Sequence, residues 1–195
     1  MALDFANLTI SDAASDGSEE GFAVFIEFLA EVGMIPAEAK PALLSLWTTE
    51  PDEAAGFLLK AISLQSTLRN VFEARISGAE ILPEWIEAIN EILAHTEGYD
   101  RLEPNAQQSD GQPEWRIALH ARAQGLEWLL TAIARTAAEL IAEGRGAPIR
   151  KCANPNCGLF FYDDSRTGRR RWCSMAVCGN RAKVSTHYRR EKNNN

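Results

Sequence analysis

Cysteine is absent from the first 151 residues of this 195-residue chain, which has three histidines in all. A metal centre built from thiolates is therefore excluded anywhere before Cys152. The chain also lacks a G-x-S-x-G motif, a phosphate-binding loop, a dinucleotide fingerprint and an HExxH pair. His95 and His120 have no metal-ligand partner at a useful spacing. Because no catalytic constellation is present, the sequence predicts that the protein is not an enzyme.

Long apolar runs are missing too. No run reaches the roughly 18 residues needed to span a bilayer, so no membrane association is predicted. The opening MALDFANLTISDAASDGSEE has neither the basic start nor the apolar segment of a secretory signal. We therefore expect a cytoplasmic location, where thiols stay reduced.

Positive charge is scarce in residues 1–144, which carry 8 Lys and Arg against 24 Asp and Glu, a net charge of −16. Residues 145–195 carry 12 against 3, a net charge of +9. A basic segment in an acidic chain indicates a polyanionic partner, and nucleic acid is the first candidate. We predict an acidic domain at residues 1–144, a linker at residues 145–148 and a basic module at residues 149–195.

Apolar side chains recur at helical spacing through most of the acidic part. The pattern predicts helices over residues 22–32, 43–47, 54–76, 83–93 and 124–143. Two short segments, residues 99–103 and 115–121, flank a turn-rich stretch and predict a β-hairpin. The predicted fold class is mainly α: a helical N-terminal domain with a small β-hairpin, followed by a small C-terminal zinc-binding module of a β-hairpin and a helix.

All four cysteines lie in the basic part, at Cys152, Cys157, Cys173 and Cys178. The spacing C-x4-C-x15-C-x4-C allows two knuckles to supply four thiolates to one tetrahedral ion, which favours a single structural zinc. Four protein ligands leave no open position for catalysis. Two disulfides are an alternative that a reducing compartment disfavours. An iron–sulfur cluster is a lesser alternative because the ferredoxin spacings are absent.

The residues between and after the cysteine pairs are strongly basic. Residues 159–162 predict a strand, residues 169–172 its partner, and Ser174 the cap of a helix. Guanidinium groups bind phosphate in a bidentate manner, and aromatic rings stack on bases. The predicted nucleic-acid contacts are Arg166, Arg169, Arg170, Arg171, Trp172, Lys183, His187 and Arg190. Asn180 and Arg181 follow a ligand cysteine and are predicted to support the zinc ligands.

Two stretches carry a family resemblance. RRRWC, followed by CGNRAK at residues 178–183, resembles the CGNR zinc finger. The opening LDFANL and LRNVFEA at residues 68–74 resemble the ABATE domain that precedes this finger in bacterial proteins. The resemblance covers essentially the whole chain. It implies zinc at the four cysteines and a DNA-binding regulator of stress-induced transcription.

We therefore expect a zinc-dependent bacterial transcription regulator that binds DNA through its finger. Its helical domain is expected to sense a small-molecule effector or to form a homodimer. The alternative is a zinc-stabilised protein interaction module whose finger docks on an acidic surface, such as the N-terminal domain of the same chain. An RNA or single-stranded target also stays open, because Trp172 and Tyr188 offer flat rings for stacking on bases.

Overall fold

A computed structural model of the chain describes residues 1–10, 18–94, 98–104, 115–121, 126–143 and 148–184. Helices dominate it, so the predicted mainly α fold class is confirmed. The helices are α1 (Ala2–Asn7), α2 (Glu19–Glu31), α3 (Lys40–Thr49), α4 (Pro51–Ser77), α5 (Pro83–Ala94) and α6 (Glu127–Ala142). The strands are β1 (Gly98–Pro104), β2 (Trp115–Ala121), β3 (Ile149–Lys151) and β4 (Phe160–Tyr162). Within the described ranges, none of the helices combines the length and apolar character needed to cross a membrane.

The helical core is built on α4, which contacts α1, α2, α3, α5 and α6. Aromatic side chains fill its centre: the ring of Phe25 lies 5.6 Å from that of Phe5 and 5.5 Å from that of Phe57. All three are buried. Gly78 ends α4 in the left-handed conformation, with φ of 75°, which glycine adopts without a steric penalty. The amphipathic spacing of the sequence thus corresponds to real buried faces.

The short helix α1 was not among the predicted helices, and side chains of α4 hold its end. Gln65 Nε2 donates to the carbonyls of Phe5 at 2.8 Å and Leu8 at 2.7 Å. Arg69 Nη1 donates to the carbonyl of Ala6 at 2.6 Å. The last carbonyls of a helix lack partners in a following turn, so these donors satisfy the carbonyls of Ala6 and Leu8, while the Phe5 carbonyl also accepts from the amide of Leu8 at 3.1 Å.

The predicted β-hairpin of the helical part is confirmed. Strands β1 and β2 pair antiparallel, in a register that runs from Gly98 opposite Ala121 to Pro104 opposite Trp115. The connection between the strands lies outside the described residues.

The strand pairing predicted for the C-terminal module is wrong. Strand β4 pairs antiparallel with β3, in a register from Ile149 opposite Tyr162 to Lys151 opposite Phe160. Residues 169–172 do not form a strand, although the carbonyl of Arg171 accepts a hydrogen bond from the amide of Ala153 at 2.9 Å. The reason is burial: pairing β3 with β4 brings two apolar side chains, Ile149 and Phe160, onto the helical core.

The C-terminal module therefore packs on the helical part and shares its core. The ring of Phe160 lies 5.8 Å from that of Phe72 in an edge-on arrangement. Helix α1 contacts β4, and α4 contacts β3. The division at residues 145–148 stays a prediction, because residues 144–147 lie outside the described ranges.

Candidate metal centre

The four cysteine sulfurs converge on one point. Their Sγ atoms all lie within 4.8 Å of one another, with Cys173 Sγ 3.6 Å from Cys157 Sγ and 3.8 Å from Cys178 Sγ. Four sulfurs about 2.3 Å from a tetrahedral ion are separated by about 3.8 Å, so the donor set has the size of a zinc site. All four cysteines are free thiols. The prediction of one structural zinc is confirmed, and the two disulfides are not formed.

Two short turns place the sulfurs. In the first, the amide of Cys157 donates to the carbonyl of Asn154 at 3.0 Å, and the amide of Asn156 donates to Asn154 Oδ1 at 3.1 Å. In the second, Ser174 Oγ accepts from the amide of Val177 at 3.3 Å, which confirms the predicted cap. Met175–Gly179 then forms a π-helical turn, and the helix continues through residues 180–184. We call residues 175–184 the finger helix.

Two hydrogen-bond donors lie close to the ligand sulfurs. Asn154 Nδ2 lies 3.4 Å from Cys178 Sγ, and the amide of Cys173 lies 3.5 Å from Cys152 Sγ. Sequence reasoning missed this role of Asn154, although the asparagine stands in the tight turn between two ligands. Asn180 Nδ2 instead donates to the carbonyl of Ala176 at 3.1 Å, and Arg181 is exposed. The support of the zinc ligands by Asn180 and Arg181 stays a prediction.

The thiols differ in acidity. Burial raises the pKa of Cys173 to about 12, and burial also raises that of Cys157. Burial acts in the same direction on Cys152, but backbone donors from Cys173 and Asn154 outweigh it and lower the Cys152 pKa to about 7. Zinc binds thiolates, so metal binding releases protons and becomes tighter as the pH rises.

A buried carboxylate organises the basic loop, which we define as residues 163–171. Asp163 is 3% exposed and accepts hydrogen bonds from Ser165, from Arg150 Nε at 2.7 Å and from the amide of Arg170 at 3.0 Å. The hydroxyl of Ser165, followed by these further donors, holds the pKa of Asp163 below its usual value. Arg150 also donates to the carbonyl of Gly168, so it closes the loop from β3. Sequence reasoning missed Arg150, because its contact depends on the β3–β4 pairing.

Three predicted phosphate-binding arginines are exposed on the basic loop, namely Arg166, Arg169 and Arg171. Lys183 is exposed on the finger helix. The predicted contacts His187 and Arg190 lie outside the described residues, as does Tyr188.

Two other predicted contacts are partly occupied by the fold. The guanidinium of Arg170 donates to the carbonyls of Trp172, at 3.0 Å, and Cys173. Its carbon Cζ lies 4.9 Å from the ring centre of Phe161. Trp172 is half-buried, and the guanidinium of Arg171 lies 5.2 Å from the centre of its ring. Arg170 therefore stabilises the finger, while Trp172 keeps part of its surface accessible.

The contact with the helical part is made through strands β3 and β4 of the finger. The side-chain amide of Asn7 donates to the carbonyl of Phe160 and accepts from its amide, both at 2.7 Å. Lys151 pairs with Glu73, and the guanidinium of Arg69 lies 5.1 Å from the ring centre of Phe160. The three exposed arginines of the basic loop form no hydrogen bond or ion pair with a described residue of the helices, whereas Arg170 lines a cavity together with residues of α1 and α6. The described helices thus hold the finger and leave these three arginines exposed.

Two cavities accompany the helices. One, of about 230 Å³, lies between α4, α5 and α6 and is lined by apolar and charged side chains that include Lys60, Leu64, Glu91 and Ile92. The other, of about 520 Å³, lies where α1 and α6 meet β4 and is lined in part by Phe161 and Arg170. Each of the two leaves room for a small molecule.

Comparison with protein families assigns both parts of the chain. Residues 149–191 match the CGNR zinc finger. Residues 1–144 match ABATE, described as "Putative stress-induced transcription regulator". These descriptions name a regulator and a zinc finger and no enzymatic activity. Among curated proteins, none matches the chain. The N-terminal match spans well over half of the chain, and four convergent cysteine sulfurs follow it, so this protein belongs to the ABATE family and carries a CGNR zinc finger.

Proposed function

We propose that the protein is a cytoplasmic transcription regulator that binds duplex DNA through the basic loop and the finger helix. One observation carries the proposal: Arg166, Arg169 and Arg171 are exposed on a loop that a buried carboxylate and the zinc site hold in place. None of the three forms an ion pair with a described carboxylate, and guanidinium groups available in this way are suited to phosphate.

The way in which the finger is anchored supports the same proposal. Residues 145–195 carry a net charge of +9 beside an N-terminal part of −16. If the finger served only to dock on its own acidic domain, the basic loop would be expected to face that domain. The contact instead uses two buried apolar side chains, Ile149 and Phe160, together with the Asn7 amide and one ion pair through Lys151. The basic loop is left available for a second, anionic partner.

The helical part would supply regulation. The 230 Å³ cavity between α4, α5 and α6 is the site that we propose for a small-molecule effector, because apolar floor and charged rim meet there. Homodimer formation stays a prediction.

The test is fluorescence anisotropy with a labelled duplex over a series of salt concentrations. Phosphate contacts release counterions, so the logarithm of the binding constant should fall linearly with the logarithm of salt. Replacing two contacts in R169A/R171A should reduce the magnitude of that slope by about 2. Arg135→Ala is the matched control, because this arginine lies on α6 and pairs with Glu139. Its slope should equal that of the wild type.

Three results would contradict the proposal. The first is no binding at low salt, and the second is binding that does not depend on salt. The third is an unchanged slope in R169A/R171A when its zinc content is normal. Tighter binding to single-stranded DNA or RNA of the same sequence would favour the single-strand alternative.

A further inference from the structure

The second zinc knuckle exposes two apolar side chains next to the basic loop. Met175 is 53% exposed and Val177 is 49% exposed. Both lie between the ligands Cys173 and Cys178. We call Met175 and Val177 the apolar knuckle.

The apolar knuckle continues the surface of the basic loop. A Cβ atom placed on Gly179 would lie 3.0 Å from Sδ and Cε of Met175 and 3.5 Å from Cδ1 of Trp172. Gly179 is itself buried, so Met175 and Trp172 pack side by side over its backbone. The guanidinium of Arg171 lies 5.2 Å from the centre of the Trp172 ring. A single strip thus runs from a phosphate-binding group, across an aromatic ring, to an apolar tip.

The position of this tip is set by the zinc site. Ser174 Oγ accepts from the amide of Val177, and the carbonyl of Ser174 accepts from the amide of Gly179 at 3.0 Å. With a ligand cysteine at each end, the backbone of the knuckle is held in place, and the end of the Met175 side chain packs against the buried Gly179 while its outer side stays exposed. It also forms the first turn of the finger helix, which is the part of a recognition helix that meets base edges in the major groove. A side chain that is already packed against its own backbone loses less rotamer entropy on binding than one that is free.

We propose that the apolar knuckle contacts thymine methyl groups in the major groove while the neighbouring arginines hold the phosphates. The inference rests on the proposed DNA binding and adds to it a means of reading sequence. The C5-methyl of thymine is the apolar group that the major groove displays, and apolar side chains recognise it by direct contact. Phosphate contacts by the arginines carry no such information.

The experiment compares duplexes that differ only in this methyl group. Sequences are first enriched from a random duplex pool by the zinc-loaded full-length protein, and the enriched duplexes are then made with deoxyuridine in place of thymidine. The wild type should bind the deoxyuridine form about fourfold more weakly for each methyl contacted. M175A/V177A should bind both forms with equal affinity, close to that of the wild type for the deoxyuridine form.

The control variant is Leu59→Ala, which removes an equally exposed apolar side chain, 54% exposed, from α4. It should keep the preference for thymidine. If the wild type binds both forms equally but still loses affinity with salt, the knuckle does not read thymine, and the proposed DNA binding stands. If M175A/V177A retains the thymidine preference with normal zinc content, the inference is also overturned. Absence of any binding at low salt overturns the inference together with the proposed function.

Discussion

The helical part and the zinc finger of this chain are stabilised by different means. The helices bury a continuous set of aromatic and aliphatic side chains around α4. In the described part of the finger, residues 148–184, few side chains are buried, and these include two zinc ligands and a carboxylate. A segment this small cannot bury enough apolar surface to fold by that means alone, so a metal and polar contacts supply the difference. The comparison shows that buried side chains and zinc ligands maintain the fold, whereas the exposed arginines of the basic loop are available to a partner.

Substitution of a zinc ligand should have the largest effect, and it should disrupt the finger far more than the helical part. Cys178→Ser removes one of four thiolates, and structural zinc contributes on the order of 10 kcal/mol to the folding of such modules. We expect zinc content measured by native mass spectrometry to fall from one ion to none. Helical circular dichroism should largely persist, because the apolar core of the helices contains no metal ligand. Loss of the helical signal together with zinc would show instead that the shared core makes the two parts one cooperative unit.

A substitution in the aromatic core should instead destabilise the helices and leave zinc binding intact. Phe25→Ala removes a ring packed against Phe5 and Phe57, and such substitutions lower the free energy of unfolding by about 3–5 kcal/mol. Thermal unfolding followed at the helical band measures the loss. Leu59→Ala, on the exposed side of α4, should change stability by no more than about 0.5 kcal/mol. Zinc content should stay at one ion in both variants. An equal loss of stability in the two variants would refute the assignment of Phe25 to the core.

The smallest effect is expected from a substitution in the contact between the finger and the helices. Asn7→Ala removes the two hydrogen bonds to Phe160 and should weaken the contact by about 2 kcal/mol. Hydrogen exchange at the Phe160 amide should become about 30-fold faster. Asn90→Ala, at an exposed site of α5, is the control and should leave that exchange rate unchanged. Unchanged exchange in Asn7→Ala would mean that the aromatic contact with Phe72 is sufficient to hold the finger.

Local pattern was sufficient for much of the fold and for the metal site. The helices of the N-terminal part follow from apolar spacing, and β1 and β2 follow from turn chemistry, because both signals act over a few residues. The cysteine spacing identified the zinc ligands for the same reason. Helix α1 was missed because its six residues are held by Gln65 and Arg69, which are distant in sequence. The sequence around residues 2–7 contains no local signal that predicts these contacts.

The sequence by itself determined the mainly α character, the four zinc ligands and the concentration of positive charge in the last 51 residues. These properties depend on residue type and short spacing. Only the tertiary structure decided which strand pairs with β4, which arginines stay exposed, and that Asn7 joins the finger to the helices. Each of these depends on burial of side chains far apart in the chain, such as Phe72 and Phe160. Burial is a property of the folded chain as a whole, and a local pattern does not contain it.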